Sequence, residues 1–294
     1  MIEIVVLSGK GGTGKTSLTG AFAHLSSNRV VCDLDVDAPD LHLLLDPSTI
    51  SAQEFRSGHE AVIRPEICEN CGECIERCRF EAILPAVPCP SVNPLKCEGC
   101  KVCVAFCPVN AVDFPEKLCG HWFVSKTRFG WMVHAQLLPA EENSGRLVAL
   151  LRQQARELAK EKGFNMILSD GPPGIGCPVI SSLSGTSLAV IVTEPTPSGR
   201  HDLERIAELC EHFKIPAGVI INKCDLHEGH TRHIESFCLE KGLKVLGALP
   251  HDTVVTHAMV AKQTVTEYSH NDFSDKVKQI WIRTKEMGEG LEKN

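Results

Sequence analysis

Eight residues, Gly9-Lys10-Gly11-Gly12-Thr13-Gly14-Lys15-Thr16, follow directly on the apolar, β-branched run Met1–Ser8 and lead into Thr16–Leu25, whose apolar residues recur at helical spacing. A strand, a turn with glycines at 11, 12 and 14, and a helix start, in that order, leave the chain few folds to choose from. The glycines let backbone N–H groups turn inward, and the helix start adds the positive end of its dipole. Together they make a cradle for phosphate oxygens. The spacing predicts that Gly11, Gly12, Thr13, Gly14, Lys15, Thr16 and Ser17 bind a nucleotide, with Lys15 on the β and γ phosphates and the Thr16 hydroxyl on Mg²⁺.

Further apolar runs end on polar residues. Arg29–Cys32 runs into Asp33-Leu34-Asp35, Phe164–Ser169 into Asp170-Gly171-Pro172-Pro173-Gly174, and Ala217–Ile221 into Asn222-Lys223-Cys224-Asp225. Val245–Leu249 is followed by Pro250. An acid closing an apolar strand suits Asp170 to hold a Mg²⁺ water. No second acid follows it, so the carboxylate that activates water must come from elsewhere. Strand and helix patterns alternate along the chain, which predicts an α/β fold with a doubly wound, mainly parallel sheet and its ligand at the strands' carboxyl ends.

Lys10 narrows the loop to K-G-G-x-G-K-T, and with the acids downstream it resembles the deviant Walker A of the MinD/ParA ATPase superfamily, which includes the nitrogenase iron protein and Mrp-type iron–sulfur carriers. The resemblance implies ATP as substrate and a homodimer closed by ATP, with Lys10 reaching the partner's phosphates. It further implies that Asp35 activates water, that Asp33 supports the Mg²⁺ shell with Thr16 and Asp170, and that Asn222 and Pro250 flank adenine. Asn222–Asp225 also spells N-K-x-D, the pattern by which many GTPases read guanine; the Lys10 loop sets the expectation at ATP.

Fifteen cysteines in 294 residues are too many for an ordinary cytosolic enzyme unless most of them bind metal. Met1–Ser8 carries an acid and no basic flank, unlike a signal peptide, and no apolar run approaches the ~18 residues of a membrane span. The expected compartment is therefore a reducing cytoplasm. A net charge of -7 argues against nucleic acid and against an acidic membrane as partners.

Eight of the cysteines fall into a repeat. Cys68, Cys71, Cys74 and Cys78 form C-x2-C-x2-C-x3-C, and Cys97, Cys100, Cys103 and Cys107 repeat it 29 residues later, with Ala82 matching Ala111 and Ile83 matching Val112. This resembles the bacterial two-cluster ferredoxins, and the resemblance implies two [4Fe–4S] clusters in which the fourth cysteine of each run crosses over. Cys68, Cys71, Cys74 and Cys107 would then hold one cluster, and Cys78, Cys97, Cys100 and Cys103 the other. One departure is that Pro108 follows Cys107 whereas Arg79 follows Cys78. The expected organisation is a P-loop ATPase domain from 1–59 and 117–294, interrupted by a small α+β ferredoxin-like insert at 60–116.

Three weaker signals remain. Cys177, seven residues after Asp170, resembles in spacing a cysteine that ligates the dimer-bridging cluster of the nitrogenase iron protein. His227, His230 and His233 recur every third residue and read as a solvated loop and helix start, with transition-metal binding as the alternative. Phe273, Val277, Ile280 and Trp281 form one face of a terminal helix expected to dock on the sheet rather than on a membrane. The implied function is an ATP-hydrolysing iron–sulfur protein whose nucleotide-gated dimer couples turnover to electron transfer or to metallocofactor assembly on a redox or maturation partner. The alternative is a MinD-like positioning ATPase with structural clusters.

Overall fold

The computed structural model of the 294-residue chain describes residues 1–139, 141 and 144–291. Its elements begin with β1 (Ile2–Ser8), α1 (Lys15–Leu25), β2 (Arg29–Asp33), α2 (Leu41–Leu45) and β3 (Ser48–His59). Short pieces follow: β4 (Val62–Ile63), α3 (Glu73–Glu76), β5 (Ile83–Leu84), β6 (Ser91–Val92), α4 (Val102–Ala105) and β7 (Val112–Asp113). Longer elements then resume as β8 (Glu116–Thr127), β9 (Gly130–Leu137), α5 (Ser144–Lys162), β10 (Met166–Pro173), α6 (Cys177–Leu183), β11 (Leu188–Thr193) and α7 (Pro197–His212). The chain continues through β12 (Ala217–Asn222), α8 (Glu228–Glu240), β13 (Lys244–Leu249), α9 (Val254–Val260), α10 (Val265–Tyr268) and α11 (Asp272–Leu291).

A nine-stranded sheet has the order β13-β12-β11-β1-β10-β2-β9-β8-β3, and every pairing from β13 through β9 is parallel. Helices cover both faces of the central strands, so β1, β2 and β11 are buried along their whole length and carry no polar alternation. Ile4 and Val6 of β1 point into the same core as Phe22 of α1 and Trp281 of α11, whose rings lie 5.0 Å apart. The terminal helix is thus a docked core helix, as its apolar spacing predicts, and among the described residues no helix is long and apolar enough to cross a membrane.

Two compact units divide the chain: Met1–Gln53 with Trp122–Gln136 and Ser144–Asn294, and Glu54–His121 with Leu137–Asn143. The second unit reaches past both ends of the 60–116 span marked by the cysteines, because β3 and β8 each extend into it. Past the cysteine runs, β8 and β9 follow one another with only Arg128 and Phe129 between them. A connection that short joins antiparallel strands.

Within the second unit the repeat extends to backbone conformation. Asn70 and Gly99, Gly72 and Lys101, and Glu81 and Asn110 are left-handed pairs, each 29 residues apart. Gly99 lacks its counterpart's side chain because a Cβ there would lie 2.5 Å from the His59 carbonyl oxygen. Small antiparallel pairs β4–β7 and β5–β6 complete the unit, and the one-turn helices α3 and α4 carry Cys74 and Cys103.

In the first unit a buried ion network ties α5 to the start of β1. Arg152 is 3% exposed and donates to Glu3 Oε1 at 2.6 Å, to the carbonyls of Ser181 and Ser184, and to Thr186 Oγ1. Arg152→Ala leaves these acceptors without their donor, and truncating one partner of a buried pair costs about 3–5 kcal/mol. The expected result in calorimetry is a fall in melting temperature of about 10 °C.

Candidate functional site

The parallel register brings strand ends together. Val6 of β1 lies opposite Asp170 of β10, and Asp170 opposite Asp33 of β2, so both acids stand beside the start of the glycine loop. Gly14 caps α1 with φ of 91°, and a Cβ at that position would lie 2.4 Å from Asn222 Nδ2. No other residue type meets both conditions at once.

A cavity of about 430 Å³ opens over this loop, within the range of small-ligand sites. Gly11 through Ser17, Asp35, Asn222 and Pro250 all line it, and Val255, Met259 and Phe273 form an apolar wall. Met259 accepts a hydrogen bond from the Ser17 hydroxyl through its sulfur. Lys10, Asp33 and Asp170 do not line the cavity. Asp33 and Asp170 lie beneath it at 1% and 0% exposure.

Charge is concentrated at the base of the cavity. Lys15 Nζ is 3.1 Å from Asp170 Oδ1 and 3.4 Å from Asp35 Oδ2, while the hydroxyls of Thr16 and Thr19 donate to Asp170 at 2.7 and 2.9 Å. Burial alone would lower the pKa of Lys15, but the attraction of Asp170, Asp35 and Asp33 outweighs it and holds the ammonium above its ordinary value. Burial pushes the Asp33 carboxyl well up, with the charge of Asp170 adding to the effect, and Asp35 is raised chiefly by burial. Asp33 Oδ2 is buried without a hydrogen-bond partner. Hard oxygen donors around an under-compensated carboxylate fit Mg²⁺.

Two residues of this region make contacts that the spacing does not reveal. Asn222 lines the cavity and also holds the loop: its Nδ2 donates to the Thr13 carbonyl at 2.7 Å, and its Oδ1 accepts from Lys223 N at 3.0 Å. Lys10 pairs within its own chain with Glu194. Glu194 was missed from sequence, and Lys223 was named only as part of the N-K-x-D run. The available signal was an acid just past the apolar strand β11, the same pattern that marks Asp170.

In the second unit, Cys68, Cys71, Cys74 and Cys107 line one small cavity, and Cys78, Cys97, Cys100 and Cys103 line another; Arg79 lines neither. Each cavity takes three sulfurs from one repeat and the fourth from the other, with Ile63, Val109 and Val112 on the first and Ile83, Val102 and Phe114 on the second. Backbone N–H groups point at sulfur in register, Ala82 N to Cys78 Sγ at 3.4 Å and Ala111 N to Cys107 Sγ at 3.2 Å. Burial, then the neighbouring Cys97, pushes the Cys103 thiol up to about 11. Soft donors, an apolar lining and N–H···S contacts fit iron–sulfur ligation.

The weaker candidates stay apart. Cys177 is exposed at the first position of α6. His227 precedes α8 and its Nδ1 accepts from His230 N, in line with a helix start; the ring centroids of His230 and His233 are 6.1 Å apart. Among the described residues no three His, Cys, Asp or Glu side chains close on a point that would hold a single metal ion.

The model of the CobQ/CobB/MinD/ParA nucleotide binding domain matches residues 4–265. An uncharacterized protein of Methanocaldococcus jannaschii is 28% identical over 292 residues, covering 98% of each chain. The septum site-determining protein MinD of Bacillus subtilis is 27% identical over 158 residues, 51% of this chain and 58% of that protein. Among solved structures, the septum site-determining protein MinD complexed with Mg-ADP from Pyrococcus horikoshii aligns with a TM-score of 0.59 at 14% identity, covering 99% of this chain and 98% of that one, a likeness of fold. Since the family model spans most of the chain, from β1 to the start of α10, this protein belongs to the CobQ/CobB/MinD/ParA family of nucleotide-binding domains.

Proposed function

We propose that this protein is an ATP-hydrolysing iron–sulfur protein whose nucleotide cycle is coupled to electron transfer or to metallocofactor assembly on a protein partner. The observation that carries the reading is the pair of cysteine cavities, each completed by a sulfur from the other repeat. Four thiols line each cavity, and their C-x2-C-x2-C-x3-C spacing favours a cubane cluster over zinc, which uses pairs of C-x2-C set farther apart. Two [4Fe–4S] clusters held there would supply one-electron storage and release.

At the loop, backbone N–H groups of Gly11–Thr16 and the start of α1 bind the phosphates, and Lys15 places its charge on the terminal ones. Lys15 is paired with Asp35 and Asp170, so a phosphate that takes up part of the ammonium's charge leaves Asp35 free to hold the attacking water. Thr16 and Asp170, backed by Asp33, would hold Mg²⁺, which supplies positive charge against the phosphates. Met259, Val255, Pro250 and Phe273 offer an apolar slot for the base. The Lys10 loop and the likeness to a MinD described as complexed with Mg-ADP favour adenine, and ATP should outcompete GTP. Lys10 completes the phosphate site of a second copy when ATP closes a homodimer. Asp33 ends β2, and the chain then runs through α2 and β3 into the cysteine-bearing unit, which links nucleotide state to that unit by connectivity.

Similarity to proteins named as septum site-determining favours a second reading, a positioning ATPase in which the clusters are structural. Anaerobic purification and pull-down separate the two. Capture of a metalloenzyme or redox protein supports the first, and clusters that never change oxidation state across the ATP cycle would sink it.

Iron content tests the crossed ligation. The wild type is expected to hold about 8 irons, and Cys107→Ser and Cys68→Ser each about 4, with no further loss on combining them. Cys107→Ser combined with Cys78→Ser should lose nearly all. Loss confined within each sequence run, with Cys107 grouping with Cys97, would reverse the assignment.

The acid cluster gives a pH test. The raised pKa of Asp33 means that the folded chain keeps a proton which the unfolded chain gives up near pH 4, so stability falls as pH rises from there through the folded value. In nucleotide-free, EDTA-treated protein, Asp33→Asn should melt higher than wild type by about 3–6 °C at pH 8, with the gap vanishing toward pH 4. Lys15→Ala should lower ATP hydrolysis at least about 100-fold.

A further inference from the structure

Glu194 lies just beyond β11, and its side chain is 11% exposed between two ammonium groups. One carboxylate oxygen pairs with Lys10 Nζ, and the other is 3.2 Å from Lys223 Nζ. Lys223 donates in turn to the Gly12 carbonyl at 2.9 Å, and its neighbour Asn222 donates to the Thr13 carbonyl. A single carboxylate therefore links the second residue of the glycine loop to the strand end that braces the loop's middle. Ser198 Oγ, in the first turn of α7, is 3.4 Å from Lys10 Nζ. The loop is also pressed against α7, since a Cβ on Gly9 would lie 2.0 Å from Asp202 Cβ. Burial opposes charge on Glu194, yet hydrogen bonds from Lys10 and Lys223 outweigh it and keep the carboxyl below its ordinary pKa.

We propose that Glu194 is a positioning residue that competes for Lys10 with the terminal phosphate of the nucleotide bound by a second copy, and so sets the nucleotide concentration at which the paired sites load. The proposal rests on the reading of Lys10 as a phosphate-binding residue. Lys10 is 35% exposed, so its pair with Glu194 is partly screened and can be exchanged for a stronger anion. Lys223, held by both Glu194 and a loop carbonyl, keeps the loop in place while Lys10 leaves. Release of Lys10 makes charge available to phosphate only when phosphate is there to take it. A site without Glu194's charge would load at lower nucleotide concentration and discriminate less against weak phosphate ligands.

The test is a double-mutant cycle on the anaerobically purified full-length chain, read as the Kd of a fluorescent ATP analogue with Mg²⁺ and as KM and kcat for ATP hydrolysis. Glu194→Gln keeps the shape and removes the charge. It should lower Kd and KM about fivefold, the equivalent of one screened ion pair, and leave kcat within about twofold. Lys10→Ala should weaken binding, and adding Glu194→Gln to it should give no gain. Unchanged or weaker binding in Glu194→Gln, or a gain that persists in the Lys10→Ala background, overturns the proposal. Lys10→Ala that binds and turns over as wild type overturns instead the reading of Lys10 on which the proposal rests. If Glu194→Gln does not give a cooperative thermal transition, Glu194→Asp, which withdraws the carboxylate by one methylene, must show tighter binding of the same Lys10-dependent kind, and failure to do so counts equally against it.

Discussion

One buried ammonium holds the nucleotide end of this molecule together. Lys15 lies within 3.4 Å of two carboxylates from two different strand ends, and a third, Asp33, stands behind them without a partner for one of its oxygens. Three acids against one cation is an unbalanced set in a medium of low effective dielectric, and burial raises the pKa values of Asp33 and Asp35, with the charge of Asp170 adding to it at both. Two hydroxyls, from Thr16 and Thr19, offset part of the cost at Asp170. The remainder is relieved by added cation or by proton uptake. Local stability is thus traded for an affinity for positive charge where phosphates would arrive.

The second unit depends on a different constraint. A chain of this length around two cysteine runs has few large apolar residues to bury, and many of those it has are exposed, among them Phe80, Val87, Leu95 and Phe106. What the unit has instead is repetition: left-handed residues, sulfur-directed N–H groups and buried alanines recur with the same offset in both halves. Equivalent backbone paths around equivalent thiols take the place that a core has in the first unit, and in the proposed reading metal ligation is what holds them.

Much of this was legible because the local signals were unambiguous. The glycine loop with its flanking strand and helix depends on residue type and spacing alone and lies where those predict, as does the apolar run that carries Asp170, although its strand continues to Pro173. The outer strands were not legible. Most of β3, with the sequence STISAQEFRSGH, is exposed, and only Phe55 and Ser57 are buried, so it has almost none of the alternation by which a strand is recognised. The hydrogen bond of Asn222 to the loop was not legible either. An amide after a strand looks the same in sequence whether or not it also donates to a backbone carbonyl, and the 2.7 Å bond from its Nδ2 to the Thr13 carbonyl is a tertiary fact.

Lateral order in the sheet accounts for what residue type could not supply. The strand order β12-β11-β1-β10-β2 sets Asn222, Glu194, the glycine loop, Asp170 and Asp33 side by side along one edge, although in sequence they run 33, 170, 194, 222 after the loop. Because the strands are parallel, every one of these residues falls at a carboxyl end, so each new strand adds one polar group to the same row. The groups on the β10 and β2 side are acids surrounding Lys15, whereas on the β11 and β12 side one acid lies between Lys10 and Lys223. The loop is therefore flanked by two lysine–carboxylate sets of opposite balance, an excess of carboxylates on one side and of ammonium groups on the other. A polyanion with a bound cation complements such a pair better than a bare anion does, since the cation meets the surplus acids and the phosphates meet the surplus lysines.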